Sequence, residues 1–202
     1  MILALDTSTA ACTAALFAAD GTLVASADEV IGRGHAERLV PMIAEMLGGH
    51  RPERVLVGCG PGSFTGLRVG IAAAHGMAIG WGAQLAGFSS LALLAAASAG
   101  AEPVAAAVPG GHGELFVQEF GGQPRAALGL LLNLPPAQAA ASVAARRAIG
   151  PAAPALVEAR GWGEAMAALP SATHVLRLPD WLRSLPPQPV YARAPDARPR
   201  AA

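Results

Sequence analysis

The chain contains no lysine, and all fourteen of its basic residues are arginines. This excludes a phosphate-binding loop of the lysine type and any mechanism that needs a catalytic lysine. The only cysteines are Cys12 and Cys59, too few for a disulfide framework, so we expect a protein of the reducing cytoplasm. No two of the five histidines have ligand spacing and there is no C-x-x-C pair. The sequence therefore predicts no metal site, and we expect no cofactor.

Charge and long apolar runs are also scarce. Only 14% of the residues are charged and the net charge is zero, so no general attraction to nucleic acid is expected. The longest uncharged stretch, roughly residues 69–98, is interrupted by glycine and polar residues and predicts no membrane span. The start of the chain has no basic segment before Asp6, unlike a signal peptide. With 53% hydrophobic residues over 202 positions, the chain can form a substantial core.

The first thirty residues predict a three-stranded antiparallel meander over residues 2–5, 11–17 and 22–29. Asp20-Gly21 supplies the second turn. The first turn carries Asp6, Thr7 and Ser8, which could hold the phosphate of a metal-bound nucleotide. The same side chains could instead bond to the backbone of a hairpin turn, and the local sequence favours that second interpretation.

A first helix is predicted over residues 34–47, ended by Gly48-Gly49. Its apolar residues recur at three- and four-residue spacing. They are Leu39, Val40, Ile43, Met46 and Leu47. Pro41 lies inside this pattern and is expected to bend the helix near its first turns.

Residues 58–70, GCGPGSFTGLRVG, hold five glycines between a predicted strand at 54–57 and a helix that runs to Trp81. A glycine loop at a helix N-terminus can bind an anion. The loop lacks the lysine of one nucleotide-binding fingerprint and the G-x-G-x-x-G spacing of the other. A tight turn with Ser63 or Thr65 as the helix N-cap is the favoured interpretation.

Small residues recur every fourth position through this loop and helix, at Gly62, Gly66, Gly70, Ala74 and Ala78. Such a ridge lets another helix approach closely. Glycine costs a helix about 1 kcal/mol relative to alanine, so the glycines need a packing reason. An ordinary core helix is one explanation. A partner surface is the other, and the pattern favours it slightly.

The remaining chain predicts a strand at 85–87, a helix capped by Ser89 up to about Ala99, and a boundary at 100–103. Strands follow at 104–108 and 114–120. Beyond Gly121 the pattern weakens to a strand within 128–134, a helix over 136–145 and a partly helical stretch at 153–168. Residues 186–202 hold five prolines and three arginines and predict an extended tail.

Three segments resemble the TsaB family, the dimerisation subunit of the bacterial tRNA threonylcarbamoyladenosine complex. They are DTST at residues 6–9, GHAERLVP at 34–41 and, above all, GPGSFTGLRVG at 60–70. PVYAR at 189–193 is similar to the family's closing segment. The resemblance implies an α/β fold of the actin-like ATPase (ribonuclease H-like) type, with two similar lobes that each contain a mixed sheet flanked by helices. Residues 1–100 would form the first lobe with the partner-binding helices. Residues 101–202 would form a second, reduced lobe with a Pro/Arg-rich tail.

The resemblance further implies a non-catalytic role. Such a subunit pairs with a TsaD-type threonylcarbamoyltransferase through the two helices of its first lobe, is joined by a TsaE-type ATPase, forms a homodimer when alone, and meets tRNA only indirectly. The implied interface residues are Glu37, Leu39, Val40, Ile43, Met46, Leu47, Gly66, Arg68, Val69, Gly70, Ala73 and Met77. A leucine at Gly70 is then expected to block pairing while the monomer still folds.

Two enzymatic interpretations compete with this one. An actin-like ATPase would bind ATP–Mg through Asp6, Thr7 and Ser8. A peptidase, which an older family name suggests, would need a metal-binding histidine pair or a nucleophile elbow, yet Leu39 stands four residues after His35 and no G-x-S-x-G is present. One departure concerns the second lobe, where residues 109–114 are PGGHGE and the family has Asp-Ala-Arg before the glycine and glutamate.

Overall fold

A computed structural model describes residues 1–190 of the chain. The last twelve residues, including the end of the predicted closing segment and the tail arginines Arg193, Arg198 and Arg200, lie outside the described residues. Within residues 1–190 no helix is long and apolar enough to cross a membrane.

The first sheet is built by the first 88 residues. The predicted meander is confirmed, with β1 (Ile2–Asp6), β2 (Ala11–Phe17) and β3 (Leu23–Val30) antiparallel in sequence order. Two further strands, β4 (Arg54–Gly58) and β5 (Gln84–Phe88), run parallel to β1, so the order is β3-β2-β1-β4-β5. Two crossover helices, α1 (His35–Leu47) and α2 (Phe64–Trp81), cover one face of this sheet.

The second sheet is also mixed. Its long antiparallel pair, β6 (Val104–Gly111) and β7 (Glu114–Gly121), confirms the two strands predicted after the boundary. The shorter strands are β8 (Ala126–Ala127), β9 (Leu132–Leu134), β10 (Arg147–Ile149) and β11 (Glu164–Met166). Their order is β11-β10-β6-β7-β8, with β9 on β7. Helices α4 (Pro136–Ser142) and α5 (Ala153–Arg160) pack against it.

Between the two sheets lies α3 (Ser90–Ala95), all six residues of which are buried. Its N-cap Ser89 accepts a hydrogen bond from the Ala92 N–H at 3.2 Å, as predicted. The leucines of α3 join Phe88 and Phe120, contributed by strands of the two sheets, in one apolar cluster. Separate clusters lie under α1 and α2 and under α4 and α5. Two mixed sheets flanked by helices therefore confirm the predicted α/β class.

Helix boundaries differ from the prediction in the second half of the chain. The helix expected to reach Ala145 ends at Ser142. The N–H groups of Ala144 and Ala145 donate instead to the Glu119 carboxylate, at 2.7 and 2.5 Å. A long-range acceptor on β7 therefore takes the place of the helical hydrogen bonds, which the local sequence does not reveal.

The C-terminal residues return to the first sheet. After a 3-10 turn at Ala172–Arg177, a second at Asp180–Leu182 leads into residues 183–190. The Ala172 N–H donates to Thr13 Oγ1 at 2.7 Å, and Ser171 Oγ donates to Asp28 at 2.7 Å. Residues 172–190 thus pack on the first sheet, although they belong to the segment predicted to form the second lobe. The division of the chain into two lobes near residue 100 stays a prediction.

Candidate functional site

The turn after β1 holds a carboxylate whose two oxygens are both used inside the chain. Asp6 is fully buried. Its Oδ1 accepts the Ser8 N–H at 2.7 Å, and its Oδ2 accepts the hydroxyl of Ser90, the first residue of α3, at 2.5 Å. Burial raises the pKa of Asp6, and the hydrogen bonds from Ser8 and Ser90 oppose that shift. Asp6 thus links β1 to the helix between the two sheets.

The glycine loop closes over this turn. A Cβ built on Gly58 would overlap the Asp6 carboxylate, and one on Gly62 would overlap the Ser8 carbonyl. The Ser63 N–H donates to that same carbonyl at 2.7 Å. Thr7 Oγ1 donates to the Gly66 carbonyl at 2.7 Å. The side chains of Asp6, Thr7 and Ser8 are therefore enclosed by the protein itself, which favours the hairpin-turn interpretation over a nucleotide site.

The predicted glycine ridge of α2 faces the interior. Ser63 is the N-cap, accepting the Gly66 N–H at 3.2 Å, which confirms one of the two predicted caps. A Cβ on Gly66 would overlap the Thr7 carbonyl, and one on Gly70 would overlap Thr7 Oγ1. The prediction that Gly66 and Gly70 present a surface to a partner is wrong, because Thr7, in the turn after β1 of the same chain, fills the space beside them. A leucine at Gly70 would disrupt the monomer.

The predicted partner contacts of α1 are corrected for the same reason. Leu39, Ile43 and Leu47 are buried in the cluster between α1, α2 and the first sheet. They cannot serve as partner contacts as well, because a sheet flanked by helices takes the most apolar face of each helix for its own core. The remaining predicted interface residues are exposed or half-buried. They are Glu37, Val40, Met46, Arg68, Val69, Ala73 and Met77.

A second row of small residues lies on the solvent side of α2. Ala72, Gly76 and Gly80 are exposed at four-residue spacing, and within residues 1–190 no atom outside the neighbouring turns of α2 lies within 4 Å of a Cβ built on either glycine. Ile79 beside them is 82% exposed. The signal is present in the sequence, since the spacing is the same as in the first row, but spacing alone does not show which row faces the solvent.

These residues and their neighbours on α1 form one apolar surface, which we call the outer face. It consists of Val40, Pro41, Ala44, Val69, Ala72, Ala73, Gly76, Met77, Ile79 and Gly80. Val40, at the α1 side, is 51% exposed. Helices α1 and α2 pack side by side, so a partner could contact both at once.

Charged side chains border the outer face. Arg38 binds Glu29 on β3 through two hydrogen bonds of 2.6 and 2.7 Å, and binds Glu45, two helix turns further along α1, at 3.0 and 3.1 Å. These contacts lower the pKa of both carboxyl groups, which stay ionised. At the start of α2 the Arg68 guanidinium stacks over the Phe64 ring, 3.5 Å from its centroid. On the α1 side the rim is therefore a cluster of two acids paired with Arg38, and on the α2 side it carries the basic Arg68.

The hairpin that departs from the family pattern makes an internal contact. A Cβ on Gly110 would overlap the side-chain oxygen of Asn133, and Asn133 Nδ2 donates to the Glu114 carboxylate at 2.6 Å. The glycine at this position thus permits β9 to approach the β6–β7 turn.

Residues 1–190 contain no group of three His, Cys, Asp or Glu side chains that could hold a metal ion.

Comparison with known proteins decides the family. A family model described as TsaD, tRNA N6-adenosine threonylcarbamoyltransferase, matches residues 27–131, just over half of the chain. YeaZ from Pseudomonas aeruginosa has a similar structure, with a TM-score of 0.81 and 32% sequence identity over 94% of this chain and 98% of that one. Two proteins named tRNA threonylcarbamoyladenosine biosynthesis protein TsaB, from Escherichia coli and Haemophilus influenzae, are 38% and 37% identical to this chain over 127 residues.

The chain belongs to the TsaB family. The two alignments cover 59% and 58% of this chain and 54% and 52% of the relatives, so the match spans about half the length of either relative. Its two mixed sheets with flanking helices are the actin-like fold, as the resemblance implied. Both curated relatives are named for tRNA threonylcarbamoyladenosine biosynthesis.

Proposed function

We propose that this chain is a non-catalytic subunit that pairs with a TsaD-type threonylcarbamoyltransferase and so supports threonylcarbamoylation of the tRNA adenosine next to the anticodon. In this proposal a TsaE-type ATPase joins the pair, two copies of the chain associate when the partner is absent, and tRNA contact is indirect. The complex would act in the cytoplasm, where the free thiols of Cys12 and Cys59 stay reduced.

The outer face is the observation that carries the proposal. Gly76 and Gly80 each cost α2 about 1 kcal/mol relative to alanine, and neither has an internal neighbour that requires its small size. A contact outside the chain supplies the missing reason, because small residues let a second helix approach the backbone closely. Contiguous exposed apolar residues of this kind commonly mark protein interfaces.

The enclosed turn supports a role without nucleotide chemistry. Both oxygens of Asp6 accept hydrogen bonds from within the chain, and the glycine loop leaves no room beside Thr7 and Ser8. Neither the ATPase nor the peptidase interpretation is favoured by an observation of the described residues. Titration calorimetry of the chain with ATP and magnesium should show no saturable heat. Stoichiometric binding would contradict this part of the proposal.

Replacing Gly76 by leucine tests the outer face. The site is open among the described residues, and leucine is a better helix former than glycine, so Gly76→Leu should keep its circular dichroism spectrum and should not melt at a lower temperature. The added side chain should prevent close helix approach and weaken binding to a TsaD-type protein by about 100-fold, the factor that corresponds to about 2.7 kcal/mol. Biolayer interferometry with the purified partner measures the affinity.

The matched control is Gly129→Leu, at a glycine that is also open and exposed, on the other lobe. It should bind the partner as the wild type does. Equal affinities for the wild type and Gly76→Leu would show that the outer face is not the docking surface. A wild-type chain that fails to bind any TsaD-type protein would contradict the proposed function as a whole.

A further inference from the structure

The C-terminal residues 182–190, which we call the strap, cover the edge of the first sheet at β5. The Gly87 N–H donates to the Leu185 carbonyl at 2.7 Å, and the Leu185 N–H donates back to the Gly87 carbonyl at 3.0 Å. At the beginning of the strap, the Leu182 carbonyl accepts the Ser89 N–H at 3.2 Å. The strap therefore protects backbone groups that an exposed edge strand would leave unpaired.

The far end of the strap is bound to the glycine loop. The Val190 N–H donates to the Cys59 carbonyl at 2.8 Å, and the Cys59 thiol lies 3.5 Å from the Pro186 carbonyl oxygen. No space remains between the strap and the sheet, because a Cβ on Gly87 would overlap Cys59 Sγ and lie 2.8 Å from the Pro186 carbonyl oxygen. Cys59 is fully buried at this junction.

The strap also meets α2 halfway along its length. His75 Nε2 lies 3.4 Å from the Pro187 carbonyl oxygen. His75 is exposed and directly precedes Gly76 of the outer face. The strap thus contacts the loop from which α2 starts and, separately, the middle of the helix itself.

The strap is held by fewer hydrogen bonds than a strand of its length would be. Pro186, Pro187 and Pro189 have no N–H to donate, and the Gln188 N–H bonds within the strap, to the Pro186 carbonyl at 2.8 Å. Segments with few backbone bonds to the rest of the fold open locally at lower cost than the core does. We therefore expect the strap to open before the rest of this edge.

We propose that the strap is a latch that keeps the glycine loop and α2 in the position required for docking, so that its release weakens partner binding. This inference rests on the proposed function, because the docking surface is the outer face. The occupant of the β5 edge is the strap of this same chain. Partner binding and closure of the strap should then stabilise each other.

The two cysteines make the latch measurable. Both thiols are buried, and burial raises the pKa of each to about 11, so their intrinsic reactivities are alike. Cys59 is covered by the strap, whereas Cys12 lies on β2 in the cluster beneath α1. The rate at which a small maleimide modifies Cys59, followed by mass spectrometry of peptides with Cys12 as the internal reference, reports opening of the strap.

Two variants should release the strap. Val190→Pro removes the N–H that bonds to the Cys59 carbonyl, and Leu185→Pro removes the N–H that bonds to the Gly87 carbonyl; neither change places a new atom against Cys59 or alters β5. Gly129→Ala, at an open position on the second lobe, is the control. We expect each strap variant to raise the modification rate of Cys59 about 10-fold at an unchanged Cys12 rate and to weaken partner binding about 10-fold, the response to a modest shift in a local opening equilibrium.

Each outcome decides a separate point. If Cys59 remains as slow as in the wild type in both variants, the strap is not a cover and the inference is wrong. If Cys59 becomes reactive while partner affinity stays unchanged, the strap covers the edge but does not control docking, which also overturns the inference. If the wild type does not bind a TsaD-type protein, the proposed function fails, and with it the role of the strap in docking.

Discussion

Helix α2 carries two pairs of glycines with the same spacing and opposite surroundings. Gly66 and Gly70 face the turn after β1, where the Thr7 carbonyl and hydroxyl occupy the space that a Cβ would need. Gly76 and Gly80 face outward with nothing within 4 Å. From Gly70 to Gly76 the helix advances six residues, about 600°, which places the second pair on another side. A four-residue glycine spacing thus indicates close approach and leaves open which molecule approaches.

The inner pair explains how the candidate nucleotide site became enclosed. Without side chains at Gly66 and Gly70, α2 can lie directly on the turn that carries Thr7, and the Gly66 carbonyl accepts the Thr7 hydroxyl at 2.7 Å. Gly58 and Gly62 allow the preceding loop to approach Asp6 and Ser8 equally closely. The glycines that suggest a phosphate-binding loop in the sequence therefore close the turn in this protein.

The largest expected effect is at the inner pair. Gly66→Leu should lower the free energy of unfolding by about 3 kcal/mol or more, because the new side chain meets backbone that cannot move without disturbing β1. Urea denaturation followed by circular dichroism measures it, with Gly129→Leu as the control. If Gly66→Leu proved as stable as Gly76→Leu, the distinction between the two pairs would be removed.

A smaller effect concerns Asp6, which lies in the turn region enclosed by α2 and the glycine loop. Its pKa is raised by burial, so the folded protein holds this proton to a higher pH than the unfolded chain does. The associated stability is present below the ordinary aspartate pKa and is lost as the pH rises through the folded-state value. Asp6→Asn has no such proton, and the wild type should lose stability relative to this variant as the pH rises from about 4 towards neutrality.

Unfolding free energies of both proteins across that pH range test this expectation, because every other titrating group cancels in the difference. A difference that does not change with pH would show that the folded-state pKa of Asp6 is not raised. A difference that grows in favour of the wild type would show that the hydrogen bonds from Ser8 and Ser90 outweigh burial.

The smallest expected effect is at the outer pair. Gly76→Ala should raise the free energy of unfolding by up to about 1 kcal/mol, because alanine is the better helix former and the position has no internal neighbour. Thermal melting measures the gain. Alanine at Gly70 should instead be destabilising, and a gain at both positions would contradict the assignment of inner and outer faces.

Elements whose signals are local were predicted well. The Asp-Gly turn, the Ser63 and Ser89 N-caps and the glycine end of α1 each depend on residues within one turn of the chain. Prediction failed where a distant group competes, as at the end of α4, where Glu119 on β7 takes the N–H groups of Ala144 and Ala145. The sequence does not reveal the strap, because its bonds to Gly87 and Cys59 join segments about a hundred residues or more apart.

The sequence by itself determined the order of the elements, the presence of a tight loop before α2 and the family resemblance, because backbone preferences and residue spacing are local properties. The tertiary structure decided which side of α2 is free. The rotation of that helix is set by contacts between Thr7 and Gly66, 59 residues apart, and no local pattern contains such a contact. The same packing enclosed Asp6 and left Gly76, Ile79 and Gly80 for the surface that we propose as the docking site.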